Sequence, residues 1–176
     1  MKRKILLHTC CAVCAGKTIY RLQEEFDIVG YFYNPNIEPA EEYRERLEAT
    51  KILFNHLSLP LIIGINDNLS WHEAITGMEH WEEGGRRCWR CFELRLEQTA
   101  KQAKKESIQY IATTLTSSPH KNEKDINGLG NKISKQFGLN FIALKYRPED
   151  RYKPSLANKL NLYHQKYCGC IYSAKI

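Results

Sequence analysis

An α/β fold of three layers, with a doubly wound (Rossmann-like), mainly parallel sheet of about five strands, is what this chain predicts. Three observations carry the prediction. Short apolar runs alternate with longer segments of helical periodicity, and the first strand, helix, strand unit closes within about 33 residues, the length of a parallel crossover. The 176 residues are 43% hydrophobic and contain no linker rich in Pro, Gly or Ser, which fits a single domain over residues 1–176. No repeat or low-complexity segment interrupts the alternation, so a sheet sandwiched between two helical layers is the expected packing.

The elements follow in order. Residues 5–8 read as a short buried strand, and residues 15–26 place Ile19, Leu22 and Phe26 at helical spacing before a second strand at 28–33. Pro39 opens a helix to about residue 56, with Leu47, Ile52, Leu53 and Leu57 as its expected apolar face. A third strand at 61–65 and a short helix at 70–76 precede Gly84-Gly85, which breaks the chain ahead of a long helix at 88–105. Strand four is expected at 110–115, a helix at 123–137 ended by Gly138 as a left-handed cap, and strand five at 141–144. The remainder is helical from 153 to 160 and irregular beyond it.

All seven cysteines fall into three short groups: Cys10, Cys11 and Cys14 after the first strand, Cys88 and Cys91 at Cys-x-x-Cys spacing, and Cys168-Gly169-Cys170. Buried cysteines are usually small hydrophobes, but that role does not cluster them. A disulfide scaffold is disfavoured by the odd count and by a chain long enough to build a core. Met1-Lys2-Arg3-Lys4 precedes only three apolar residues, against roughly 7 to 15 in a signal peptide. No run approaches the roughly 20 apolar residues of a membrane span. A cytoplasmic protein with reduced thiols and no membrane partner is therefore expected, and metal or redox chemistry accounts best for the groups.

Open parallel sheets bind ligands at the carboxyl ends of their strands, where Cys10 and Cys11 lie. Residues three apart on a helix share a face, so Cys88 and Cys91 can offer two thiolates to one centre, with Arg86, Arg87 and Arg90 favouring the ionised form. Tetrahedral zinc accepts four thiolates as readily as an iron-sulfur cluster does. The first two groups are, however, far more widely separated than the roughly 15–20 residues of a zinc ribbon, and a fold-sized core needs no structural metal. Cys10, Cys11, Cys88 and Cys91 are accordingly assigned to a [4Fe-4S] cluster. Cys14 is a candidate extra ligand, a proton donor, a site for an additional iron, or an inert neighbour. Cys168 and Cys170 suit either a labile disulfide, for which Gly169 gives the backbone freedom, or ligation of a metal.

Four ordered motifs then carry a resemblance. Leu6-Leu7-His8-Thr9-Cys10-Cys11-Ala12, Arg87-Cys88-Trp89-Arg90-Cys91-Phe92-Glu93-Leu94-Arg95-Leu96, Thr113-Thr114-Leu115-Thr116-Ser117-Ser118-Pro119-His120-Lys121-Asn122 and Tyr167-Cys168-Gly169-Cys170 together resemble the QueH family of epoxyqueuosine reductases over nearly the whole chain. Val13 departs from the proline common in that family, at the turn and not at a ligand. The resemblance implies a cobalamin-independent oxidoreductase that converts epoxyqueuosine to queuosine at the wobble position of tRNA, the last step of queuosine biosynthesis. It implies cluster ligation by Cys10, Cys11, Cys88 and Cys91, a redox-active pair at Cys168 and Cys170, and an electron donor of unknown identity.

The net charge of +6 permits a polyanionic partner. Arg86, Arg87, Arg90, Lys121, Lys124, Arg147, Arg151 and Lys153 are candidate phosphate contacts, and Trp89, Tyr33 and Tyr146 candidate stacking platforms for an anticodon base. His8 and His120 are lesser candidates for proton donation. The competing class is a non-catalytic zinc protein that binds RNA. A nucleotide-dependent tRNA-thiolating enzyme of similar fold is disfavoured, because Cys-Cys-Ala-Val-Cys stands where such an enzyme needs a small-residue phosphate loop.

Overall fold

A computed structural model describes residues 2–174. Five parallel strands form one sheet in the order β3-β2-β1-β4-β5: β1 (Arg3–His8), β2 (Phe26–Phe32), β3 (Leu61–Ile63), β4 (Tyr110–Thr113) and β5 (Asn140–Phe141). Residues of β1 alternate between the two faces because side chains of a strand have a period of two. Ile5 and Leu7 enter a core with Val13, Ala15, Ile19 and Leu22 of α1 (Ala12–Leu22) and Ala49, Leu53 and Phe54 of α2 (Ala40–His56). Leu6 points the other way, into a second core with three residues of α4 (Arg86–Lys105), Leu96, Ala100 and Ala103, and with Leu129 and Ile133 of α5 (Glu123–Gln136). The three-layer, doubly wound architecture is the expected one.

Local signals explain where the elements begin and end. Cys11 caps α1, its Sγ accepting from the Cys14 amide. Asn122 caps α5 in the same way, its Oδ1 accepting from the Asp125 amide at 3.3 Å. Gly138, at φ +64°, supplies the left-handed residue just past the end of α5. A short α3 (Asn68–Ala74) starts on Asp67, which accepts from the Ser70 amide.

Several boundaries differ from expectation. Phe26 is the first residue of β2 and not the last of α1, because α1 starts three residues earlier, on its Cys11 cap. Strand four ends at Thr113 and its continuation is a 3-10 turn over Thr114–Ser117, in which Thr113 Oγ1 accepts from the Leu115 amide. Strands three and five are shorter than the apolar runs that predict them. On α2, Ile52 is 52% exposed while Glu42 and Arg46 are buried, so the expected apolar face is rotated.

Beyond β5 the chain forms α6 (Pro148–Tyr152) and α7 (Leu156–Lys159). Leu156, Ala157, Leu160, Leu162 and Tyr163 pack on the α1/α2 core, which returns the C-terminal segment to the carboxyl edge of the sheet. A Cβ on Gly16 would lie 3.3 Å from Ser155 Cβ, so α1 and this returning segment approach closely.

Candidate cysteine centre

Strand order reverses between β1 and β4, and the first cysteine group sits on that switch point. The Cys10 amide donates to Thr114 Oγ1 at 3.0 Å, and the Thr114 hydroxyl donates to Cys10 Sγ at 3.2 Å, so the ends of the two strands are joined through one threonine. Cys10 and Cys11 sulfurs are 3.8 Å apart, and the sulfurs of Cys10, Cys11 and Cys14 all lie within 4.8 Å of one another. Gln165 of the returning segment donates through Nε2 to Cys11 Sγ at 3.0 Å.

The three crowded sulfurs perturb one another's ionisation. Bonds from the Cys11 and Cys14 thiols, with Arg95 and Lys121 nearby, hold Cys10 well below the ordinary thiol range despite burial. The same bonds, with burial, push Cys11 well above it, and the bond to Cys10 together with burial pushes Cys14 up to about 12.

The second and third groups meet each other. Cys88 and Cys91 occupy the first two turns of α4, where the Gly84 amide donates to Cys88 Sγ at 3.2 Å. Burial raises both thiols, Cys91 to about 11, and negative charge on Cys168 would raise each further. Cys168 lines a cleft with Cys88, while Cys170 packs beside Cys91, Trp71 and Leu94. Cys168 and Cys170 are both free thiols.

Two cations link the groups. Arg95, one turn after Cys91, places Nη1 4.0 Å from Cys91 Sγ and also attracts charge on Cys10. Lys121 is half-buried; against the cost of burial, the sulfurs of Cys168, Cys10 and Cys14 hold its ammonium above the ordinary lysine range. The donor set therefore fits an iron-sulfur group: thiols from three segments, permanent positive charge beside them, and amide and hydroxyl donors aimed at sulfur.

Other sequence expectations are redistributed. Tyr33 and Tyr146 are buried, Tyr33 stacked on Tyr31 and Tyr146 bonded to Thr18, so neither offers a face to a base. Arg87 is buried as well, donating to the carbonyls of Glu79 and Trp81 with its guanidinium over Tyr172, so it organises the loop before α4 and does not face phosphate. Arg151 is committed to Glu123, and Arg147 and Lys153 pair with Asp150. Trp89, 42% exposed, does remain available at the rim of the cleft, which Phe92, His120, Lys121, Asn122, Asp125 and Glu83 complete. His8 is a structural residue: its ring is buried between Thr113 Oγ1 and the Tyr33 carbonyl, and burial and Arg95 hold it down to about 3. Composition and spacing missed Thr114, Arg95 and Gln165 as partners of the sulfurs. For Arg95 a signal existed, its i+4 position after Cys91.

Comparison with known proteins gives a coherent result. The family model of epoxyqueuosine reductase QueH matches residues 5–176. Epoxyqueuosine reductase QueH of Thermotoga maritima is 36% identical over 175 residues, covering 96% of this chain and 89% of its own length. That of Dehalococcoides mccartyi is 34% identical, with 98% and 93% covered. That of Streptococcus pyogenes is 32% identical, with 100% and 72% covered. Among solved structures, the U34-tRNA thiolase NcsA from Methanococcus maripaludis, solved with its [4Fe-4S] cluster, superposes with a TM-score of 0.61 at 15% identity. This chain is covered over 99% of its length and spans 63% of the thiolase, a likeness of fold.

Proposed function

From the premise that the chain belongs to the QueH family of epoxyqueuosine reductases, we propose that it reduces epoxyqueuosine to queuosine at the wobble position of a cytoplasmic tRNA, using an iron-sulfur centre and no cobalamin. It is an oxidoreductase of queuosine synthesis. Among the described residues no helix is long and apolar enough to cross a membrane. One observation carries the proposal: the buried sulfurs of Cys10, Cys11 and Cys14 gather at the switch point of the sheet, while Cys88 and Cys168, distant in sequence, line one cleft with Lys121.

In this reading Cys10, Cys11, Cys88 and Cys91 hold a [4Fe-4S] cluster, and Cys14 stands beside it as a candidate ligand for an additional iron. Such a group supplies stored electrons and a Lewis-acidic iron. The residues of the chain do the rest. Deoxygenation breaks both C–O bonds of the epoxide, forms a carbon–carbon double bond and releases water, consuming two electrons and two protons. Cys168 and Cys170, closing from dithiol to disulfide, release two electrons and two protons, so the exchange balances; an external donor then reopens the disulfide. Lys121, held cationic at the cleft beside Cys168, stabilises negative charge developing on the departing oxygen. Trp89 offers an aromatic face for the extruded base, and exposed Arg86 and Lys124, each within one turn of cleft residues, are placed for phosphate contact.

The test is iron, acid-labile sulfide and zinc content of anaerobically purified protein, beside Cys88→Ala, followed by turnover of epoxyqueuosine-containing tRNA. About four irons and four sulfides per chain, lost in the variant, with queuosine as product, is the expected result. Stoichiometric zinc without sulfide after reconstitution overturns the mechanism and favours zinc-dependent RNA binding.

A further inference from the structure

Arg95 is 2% exposed, and no carboxylate among the described residues lies within ion-pair distance of its guanidinium. Its Nη2 donates to Asn34 Oδ1 at 2.6 Å, its Nε to His8 Nε2 at 3.3 Å, and its Nη1 approaches Cys91 Sγ at 4.0 Å. Two of these partners are neutral. Asn34 cannot ionise, and its own amide is spent on the Thr9 carbonyl at 2.9 Å, which fixes its oxygen toward the arginine. His8, accepting from Arg95 through Nε2, carries its proton on Nδ1, which donates to Thr113 Oγ1 at 2.8 Å, so the ring that faces the guanidinium is uncharged. Arg46, the comparably buried arginine of α2, is instead paired with a carboxylate, Glu42 at 2.6 Å.

A buried guanidinium without a counter-charge is strongly unfavourable. The anion that Arg95 lacks among carboxylates is available as sulfur: Cys91 Sγ, one turn earlier on the same helix, lies 4.0 Å from its Nη1.

We propose that Arg95 is the permanent counter-charge of the cysteine-held centre and sets its reduction potential. The inference rests on the iron-sulfur reading above. Each electron taken up adds one negative charge to the centre, and a fixed positive charge buried beside its ligand Cys91 stabilises the reduced state more than the oxidised one, raising the potential. Its hydrogen bonds to Asn34 and His8 hold the guanidinium in place, so Arg95 is a positioning and tuning residue that does not itself touch the substrate.

The experiment is an anaerobic, spectroscopically monitored redox titration of the reconstituted protein, with iron and sulfide counted in every variant. Asn34→Asp is near-isosteric and sets a carboxylate against the guanidinium at the present 2.6 Å contact, cancelling its charge, and gives up the bond to the Thr9 carbonyl, as Asn34→Leu also does. The midpoint potential should shift to more negative values in Asn34→Asp and in Arg95→Met, while Arg95→Lys, which keeps the charge, stays nearer the parent. Asn34→Leu removes the acceptor without adding charge and should not shift negative. Loss of the centre from Asn34→Asp but not from Asn34→Leu has the same meaning, because cancelling the cation then expels an anionic group. A parent-like potential in Asn34→Asp with full iron content, or loss of the centre from both Asn34 variants, assigns Arg95 a structural role and overturns the inference while leaving the proposed function standing. Absence of iron and sulfide from the parent protein overturns both.

Discussion

Breaking the Glu42–Arg46 pair should release the C-terminal cysteine segment and destabilise the protein. The two residues lie one turn apart on α2 with side chains 9% and 3% exposed, and Arg46 Nε meets Glu42 Oε1 at 2.6 Å. Glu42 Oε2 accepts from the Tyr163 hydroxyl at 2.5 Å. The remaining guanidinium N–H groups donate to the carbonyls of Tyr167 at 2.9 Å and Cys168 at 3.0 Å, with the Tyr167 ring 5.4 Å from the charge. Glu42→Gln leaves a buried cation unpaired, which costs about 3–5 kcal/mol. At about 2–4 °C per kcal/mol for a domain of this size, the expected drop in Tm is about 6–20 °C. Arg46→Met strands the carboxylate at similar cost, whereas Glu42→Gln/Arg46→Met together leave no buried charge. The double variant should therefore be more stable than the two losses added, with a coupling of roughly 2–3 kcal/mol. Urea unfolding under reducing, anaerobic conditions gives the energies, and the alkylation rate of Cys168 reports release of the segment. Single losses below about 1 kcal/mol, or additivity in the double variant, would refute the reasoning.

Further outcomes follow from single contacts. A Cβ on Gly130 would fall 2.4 Å from the Phe141 ring, so Gly130→Ala should lower stability by about 1–3 kcal/mol in denaturant unfolding; an unchanged midpoint contradicts the packing of α5 on β5. Gly169 sits at φ +123°, where side chains are strained by roughly 1–3 kcal/mol, and its Cβ would meet Arg46 Nη1 and Ile37 Cγ1 at 3.1 Å. Gly169→Ala should keep the fold, read by circular dichroism, and impair dithiol-to-disulfide cycling, read by mass-shift alkylation; normal cycling counts against the role given to the pair. Thr114→Val removes the acceptor of the Cys10 amide and the donor to its sulfur, at about 1–3 kcal/mol, and Thr114→Ser should restore both stability and iron content. Trp89→Ala should change stability by less than about 0.5 kcal/mol yet weaken tRNA binding by about 1–3 kcal/mol; an unchanged Kd removes Trp89 as a stacking platform.

The fold was legible because its signals are local and periodic. The short apolar run of β1, the helical spacing of α1, and Gly138 as a left-handed stop each reflect burial or backbone geometry that single residues announce. Misreadings arise where tertiary partners decide. Ile52 reads as core and faces water, while Glu42 and Arg46, outside the expected apolar face, are buried, since the returning segment of Tyr163 to Cys168 supplies partners that let them go inside. Likewise the apolar run of strand four outlasts the strand, because Thr113 turns the chain. At the site, the spacing identifies the cysteine groups. It does not identify Thr114, Gln165 or Arg95, whose contacts with sulfur span positions as far apart as 11 and 165.

The three groups differ in how firmly the backbone holds them, and that difference matches the roles proposed for them. Cys10, Cys11 and Cys14 run from the end of a central strand into a capped helix, and Cys88 and Cys91 lie in the opening turns of the longest helix. Ligands of a fixed centre gain from such rigidity, since their geometry is set before the group binds. Cys168 and Cys170 instead sit on irregular backbone, strapped by the Arg46 guanidinium and by the bond from the Glu38 amide to the Gly169 carbonyl at 2.8 Å. Neither contact involves their sulfurs, so bonds of the pair can form and break while the strap stays closed. A redox pair needs that freedom, and part of the polarity holding it in place belongs to a helix residue, Arg46, that must itself stay charged and buried. Loosening the strap should therefore alter the reactivity of the Cys168/Cys170 pair well before it disturbs the first two groups.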